Sequence, residues 1–224
     1  IGTDVTGTLD LGNGQSGLRL TSSNSLIGGP VQADRNIIVG NNIGIQIANG
    51  SDGYTIVGNY IGMGADGSAI GNIQGISFGV SNPSTTRVGG TLPGEGNVIA
   101  YNTTDGIRAA STSTGQQNAF LGNAIFANGE LGIDFLNDGI TPNDAEDVDT
   151  GFNQQLNFPV ITRIARSGPD LDISVVLDVP AGDYRLEFFA AGAESSGNLY
   201  GEGQTYLGSA VVTVAGIAGY ESFT

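Results

Sequence analysis

The chain has 224 residues, room for one long domain or two smaller ones with a buried core. Its seven basic residues are all Arg and stand against 22 acids, giving a net charge of −15, and there is no Lys, His or Cys. This composition excludes disulfides, thiolate catalysis, Cys-zinc sites and His-dependent nucleophile triads. So acidic a surface also repels nucleic acid and anionic membranes.

Gly supplies 38 positions, far above the usual share of roughly 7%. There is no Gly-X-Y period, so the glycines mark turns and close backbone approaches. No apolar run reaches the ~18 residues that a membrane-spanning helix needs.

A short motif recurs from the start. Asn36-Ile37-Ile38-Val39-Gly40-Asn41 returns as Tyr54–Asn59, Asn97–Asn102 and Asn118–Asn123, at steps of 18, 43 and 21 residues. Each copy is an apolar run closed by Asn. A period this short, built of strand and turn formers, predicts a coiled β architecture. Gly44-Ile45-Gln46-Ile47-Ala48 and Gly106-Ile107-Arg108-Ala109 alternate apolar and polar, as half-buried strands do.

A longer self-similarity lies above the short one. Ile1-Gly2 matches Ile61-Gly62, Gly12-Asn13 matches Gly71-Asn72, and Asn36-Ile37-Ile38 matches Asn97-Val98-Ile99. Residues 1–60 and 61–124 therefore read as two copies of one unit, each about three turns of 20-odd residues. The expected rod has about six coils, with Ile38, Ile56 and Ile99 piled in one file. The closing residues Asn41, Asn59, Asn102 and Asn123 suit tight corners, and stacked amides can bond one another as a ladder. Ligand binding by these amides is the functional alternative. Gly12-Asn13-Gly14 and Gly94-Glu95-Gly96 are turns, because a phosphate loop needs a Lys.

The stretches Ile1-Gly2-Thr3-Asp4-Val5-Thr6-Gly7, Gly40-Asn41-Asn42-Ile43-Gly44 and Asn97-Val98-Ile99 resemble the repeats of right-handed parallel β-helix proteins of bacterial secreted and surface type, the pectate-lyase-like superfold. The resemblance covers residues 1–157 and implies right-handed winding. It also implies an extracellular setting, with polysaccharide lyases, hydrolases, adhesins and spacers all in the wider group. The chain opens in mid-repeat at Ile1, so a longer parent with further domains is expected.

After Asn123 the repeat decays into Gly129–Phe135 and then an acidic stretch, with five acids between 138 and 149. Asp147, Asp149, Gly151 and Asn153 alternate along the chain, and Asp144 or Asp138 could add a carboxylate. Oxygen ligands in a flexible loop suit Ca²⁺, so Asp144, Asp147, Asp149 and Asn153 form a candidate calcium site. It departs from an EF-hand, having no Glu at the twelfth position. A solvated acidic turn is the alternative.

Pro159 marks a boundary, and residues 158–224 read as a second all-β piece. Strands are expected at Val160–Arg166, Leu171–Leu177, Asp183–Ala190, Tyr206–Val214 and Gly219–Thr224, with a long turn at Ser195–Gly203. Five such strands suggest a small, immunoglobulin-like β-sandwich filled by Tyr184, Phe188, Phe189, Tyr206 and Phe223. Tyr200–Ser209 resembles a stretch that follows β-helix repeats in the same surface proteins.

For catalysis, a glycosidase needs two carboxylates at a set spacing. Asp4, Asp34, Asp52, Asp66, Asp105 and Asp134 are available, mostly in turn contexts, and Arg19, Arg87 and Arg108 are the only candidate lyase bases in the repeats. The expectation is a non-catalytic structural or adhesive module of a secreted or cell-surface protein. Its partners would be other domains of a parent chain, a glycan or a surface protein. A β-helix hydrolase or lyase, or a carbohydrate-binding module, is the alternative.

Overall fold

The computed structural model describes residues 1–48, 52–80, 83–192, 201–215 and 221–223, the side chains of 221–223 excepted. Among these the chain is all-β, with three short 3-10 turns, and no helix is long and apolar enough to cross a membrane.

Each coil lays down three strands on three sheets. The first carries β1 (Ser16–Leu20), β2 (Leu26–Gly28) and β3 (Ile37–Ile38). The second carries β4 (Ile43–Ile47), β5 (Thr55–Val57) and β6 (Tyr60–Ile61). The third carries β7 (Gln74–Phe78), β8 (Arg87–Gly89) and β9 (Val98–Ala100). The fourth carries β10 (Ile107–Ala109), β11 (Ala119–Leu121) and β12 (Ala124–Phe126), and β13 (Ile133–Asp134) begins a fifth. Strands stack in order β1-β4-β7-β10-β13 on the first sheet, β2-β5-β8-β11 on the second and β3-β6-β9-β12 on the third, all parallel. This is a parallel β-solenoid of about four coils.

The coil is longer than the short motif implied. On the first sheet, register partners step from Ser16 to Ile43 and Gln74, and from Ile76 to Ile107 and Ile133, so a coil measured there takes 26 to 31 residues. Ile38 and Ile99 share the third-sheet file with Ile61 and Ile125, whereas Ile56 belongs to the second-sheet file of Ile27, Val88 and Phe120. The expected single file is therefore two, and six coils become about four. The apolar-run-plus-Asn motif occurs on two of the three sheets, which halves the apparent spacing.

The unit of about 60 residues is two coils that differ in their corners. Between the second and third sheets, coils two and four cross directly through Val57-Gly58-Asn59 and Leu121-Gly122-Asn123, while coils one and three detour from Gly28 to Asn36 and from Gly89 to Asn97. Between the third and first sheets, Gly2–Asn13 and Gly62–Asn72 detour, each around an antiparallel bridge, Thr3 to Asp10 and Met63 to Ala69. The detours lean across their neighbours: Gly58 N–H donates to Glu95 O (3.1 Å) and Ala65 N–H to Gly7 O (2.9 Å). Gly58 has φ of +69° and a Cβ there would lie 2.0 Å from Gly29 O, so only Gly passes.

Inside, Ile38, Ile45, Ile47, Ile56, Ile61, Ile76, Phe78, Val88, Ile99 and Ile107 are fully buried. At about 25 cal/mol per Å² of apolar surface, each stabilises the rod by roughly 1.5–3 kcal/mol. No single coil hides its own apolar side; the neighbours do.

After the acidic stretch, β14 (Val160–Ser167), β15 (Asp170–Leu177) and β18 (Glu221–Phe223) form one antiparallel sheet. A hairpin of β16 (Gly182–Ala191) and β17 (Gly203–Val214) forms another. Val175, Leu177, Leu186 and Val214 close a shared core, with Tyr184 and Phe188 packed against it. Phe189 and Tyr206 instead stack edge to face, centroids 5.4 Å apart, outside that core. Phe188 and Phe189 are consecutive on one strand and so point to opposite faces, and the register shift between them sets Phe189 opposite Tyr206. The side chain of Phe223, residues 195–200 of the expected turn and residues 219, 220 and 224 lie outside the described residues.

Candidate functional site

The corner asparagines form two ladders. One runs Asn13, Asn41, Asn72, Asn102, Asn128; the other runs Asn36, Asn59, Asn97, Asn123. At each rung, the backbone N–H and the side-chain Nδ2 of one Asn both donate to Oδ1 of the next, as Asn72 does to Asn102 at 3.2 and 3.0 Å. The second Nδ2 hydrogen goes to a carbonyl of the coil below, such as Ile38 O for Asn72 (3.0 Å). These amides are saturated and buried, which leaves the interior rungs nothing to offer a ligand. The motif pointed to Asn41, Asn59, Asn102 and Asn123; Asn72 escapes it because a detour separates it from Ile61, Asn97 because it opens its apolar run, and Asn128 because it closes Ala124-Ile125-Phe126-Ala127 where the repeat is already decaying.

Every rung donates in the same direction, so the last coil ends in unpaired donors. The hairpin meets them. Asn128 donates its N–H to Glu202 Oε2 (3.1 Å) and its Nδ2 to Glu202 Oε1 (2.9 Å). Gly122 N–H, beside Asn123, donates to Glu187 Oε2 (2.7 Å). Carboxylates thus stand where a fifth coil would put an amide oxygen and a carbonyl.

The four acidic-loop residues separate into two places. Asn153 closes a third corner: its Oδ1 accepts from Asn118 N–H (3.0 Å) and its Nδ2 donates to Asn118 O (2.7 Å). Asp147 is buried and bonded elsewhere, its Oδ1 accepting from Asn157 N–H (2.6 Å).

 That is, Asp147 belongs to a different cluster from Asn153, one built on Asn157 rather than on the corner at Asn118. Asn157 also accepts from Asp144 N–H at Oδ1 (3.0 Å) and donates from Nδ2 to Asp144 O (2.8 Å) and Asp178 O (2.6 Å). Burial pushes the Asp147 carboxyl up from its ordinary range, opposed by the Asn157 N–H and reinforced by Asp144, Asp149 and Asp178. Among the described residues no three acids converge as metal ligands. Asp178, absent from the expected set, joins this cluster from the end of β15, too far along the chain for a loop motif to include it.

The six aspartates weighed for catalysis are mostly consumed by the backbone. Asp4 Oδ1 accepts from Thr8 and Leu9 N–H, Asp52 Oδ1 from Ser84 N–H and Asp66 Oδ1 from Ser68 N–H. Asp134 accepts from Leu136, Asn137 and Gly139 N–H. Asp105 accepts from Leu131 N–H and is 1% exposed; burial, then the Asp134 charge, pushes its carboxyl up to about 6. Two neighbouring carboxylates are what a glycosidase needs, but Asp105 and Asp134 are both buried and closed to a substrate. Of the arginines weighed as lyase bases, Arg19 is exposed on β1 and the other two are engaged. Arg87 pairs with Glu95 (3.1 Å), Arg108 donates to Gln74 and Asn137, and Arg35 stacks over Tyr60 at 4.1 Å.

A cavity of about 1040 Å³ opens where the solenoid meets the hairpin. Its floor is Phe120, Ile125 and Ile133, and its walls include Phe158, Phe189 and Glu187. No family model, no curated protein and no solved structure matches the chain.

Proposed function

We propose that this chain is a non-catalytic structural or adhesive module of a secreted or cell-surface protein, built on a right-handed solenoid of pectate-lyase-like type with an immunoglobulin-like C-terminal piece. The observation that carries this reading is the pair of buried amide ladders running the length of the rod and ending on carboxylates of the hairpin. Such an interior stiffens a spacer and leaves its flanks free for contact. The consumption of the flank aspartates by backbone N–H groups supports a non-catalytic role.

Calcium is part of the proposal. Asp147 with Asp144, Asp149 and Asp178 gathers negative charge that a cation would relieve, and the ion would have to draw these side chains inward. The proposed partners are neighbouring domains, a glycan or a surface protein.

The test is a panel of neutral and acidic polysaccharides, with and without Ca²⁺, assayed for both binding and new chain ends. Binding without cleavage, or neither, is expected. Sustained release of reducing or unsaturated ends would overturn the reading in favour of a hydrolase or lyase.

A further inference from the structure

The cavity is an unfilled fifth layer of the core. The first sheet has five stacked strands, whereas the second and third have four. Ile133 continues the file of Ile76 and Ile107, which are fully buried, yet is itself 37% exposed because no second-sheet strand faces it.

The edge of β11 below that gap is unevenly satisfied. Ala119 N–H donates down to Thr86 O (2.9 Å), so Ala119 and Leu121 address β8. Asn118, Phe120 and Gly122 address the open side. Asn153 meets Asn118 and Glu187 meets Gly122. Among the described residues, nothing bonds the N–H and C=O of Phe120 on that side.

We propose that the cavity binds an extended apolar peptide segment of a partner protein, one residue of which exchanges both backbone hydrogen bonds with Phe120. A donor and an acceptor on one residue is what an antiparallel neighbour satisfies, and strand addition at a free edge is an established way for proteins to recognise peptides. The floor of Phe120, Ile125 and Ile133 receives apolar side chains. Glu202 at the wall disfavours acidic peptides and favours neutral or basic ones, while the Glu187 charge beside it is paired with Arg185 (2.8 Å). This site goes beyond the scaffold role and does not depend on it.

The probe is the blocked peptide acetyl-Arg-Val-Leu-Val-Arg-amide, titrated calorimetrically into the full chain beside a twin with its three central amides N-methylated. The parent peptide binds at least tenfold more tightly than the twin. Ile133→Trp, which fills the floor, abolishes binding while the circular dichroism spectrum is unchanged, and Phe189→Trp repeats the test from the opposite wall. Equal binding of the two peptides would reduce the site to an apolar cavity without strand pairing and overturn the proposal. So would no binding at millimolar peptide, or binding unaffected by both folded Trp variants.

Discussion

Glu202 receives from Asn128 the same two hydrogen bonds, backbone N–H and Nδ2, that each ladder asparagine receives from the one before it. A side chain of the hairpin thereby stands in for the amide of an absent coil. The carboxylate suits the position, because it faces the donor end of a column of aligned amides.

Removing that carboxylate leaves two buried donors unmet. Glu202→Ala is expected to destabilise the chain by about 2–3 kcal/mol, and Glu202→Gln by less, since its oxygen still accepts. Urea unfolding followed by circular dichroism measures both; equal stability of the Ala variant and the parent would remove the capping role.

Position along the ladder sets the cost of losing a rung. Asn72 bonds Asn41, Asn102 and Ile38 O and is fully buried, whereas Asn13 ends its ladder on the exposed surface. Asn72→Ala is expected to cost about 3–4 kcal/mol and Asn13→Ala under about 1 kcal/mol. Similar losses at the two positions would mean that the amides act as corner formers rather than as a connected column.

Asp105 makes stability depend on pH. Its carboxyl is raised to about 6 by burial and by Asp134, so the folded chain holds this proton more tightly than the unfolded chain does. The group's contribution is intact below about pH 4 and is lost as pH rises through about 6. Asp105→Asn keeps an oxygen for Leu131 N–H and removes the charge. It is expected to raise stability by about 1–3 kcal/mol at pH 7.5, with the gain vanishing near pH 4. A gain independent of pH would assign the effect to packing instead.

Calcium should act through the acidic cluster. With a dissociation constant near 1 mM, 10 mM Ca²⁺ stabilises by about 1.4 kcal/mol, a rise in melting temperature of roughly 2–4 °C. Asp147→Asn should cancel that rise. Melting curves that coincide in Ca²⁺ and in EGTA would remove calcium from the account.

Much of the architecture was legible because it is local. Alternation in Ile45-Gln46-Ile47 and the turn chemistry of Gly40-Asn41 are written within a few residues, and the C-terminal strands fall within one to three residues of the expected bounds. Coil length was not legible, because it depends on which copies of a motif share a sheet. Tyr54–Asn59 and Asn36–Asn41 read alike but face different directions. The caps were hidden for a related reason: Glu187 and Glu202 lie 65 and 74 residues beyond the groups they meet, and nothing in their own surroundings marks them. The spacing of Asn153 suggests a calcium ligand, and its bonds to Asn118, 35 residues earlier, cannot be read from that local pattern.

The measurement that bears most directly on the stacked three-strand coil is an engineered cross-link, made clean by the absence of native Cys. Gln46 and Ser77 are register partners on adjacent coils and their side chains face outward. Gln46→Cys with Ser77→Cys should oxidise to an intramolecular disulfide in the folded chain, while Gln46→Cys with Asp66→Cys, the pairing a coil of 20 residues requires, should remain reduced. Ready closure of the second pair and not the first would contradict the fold described above.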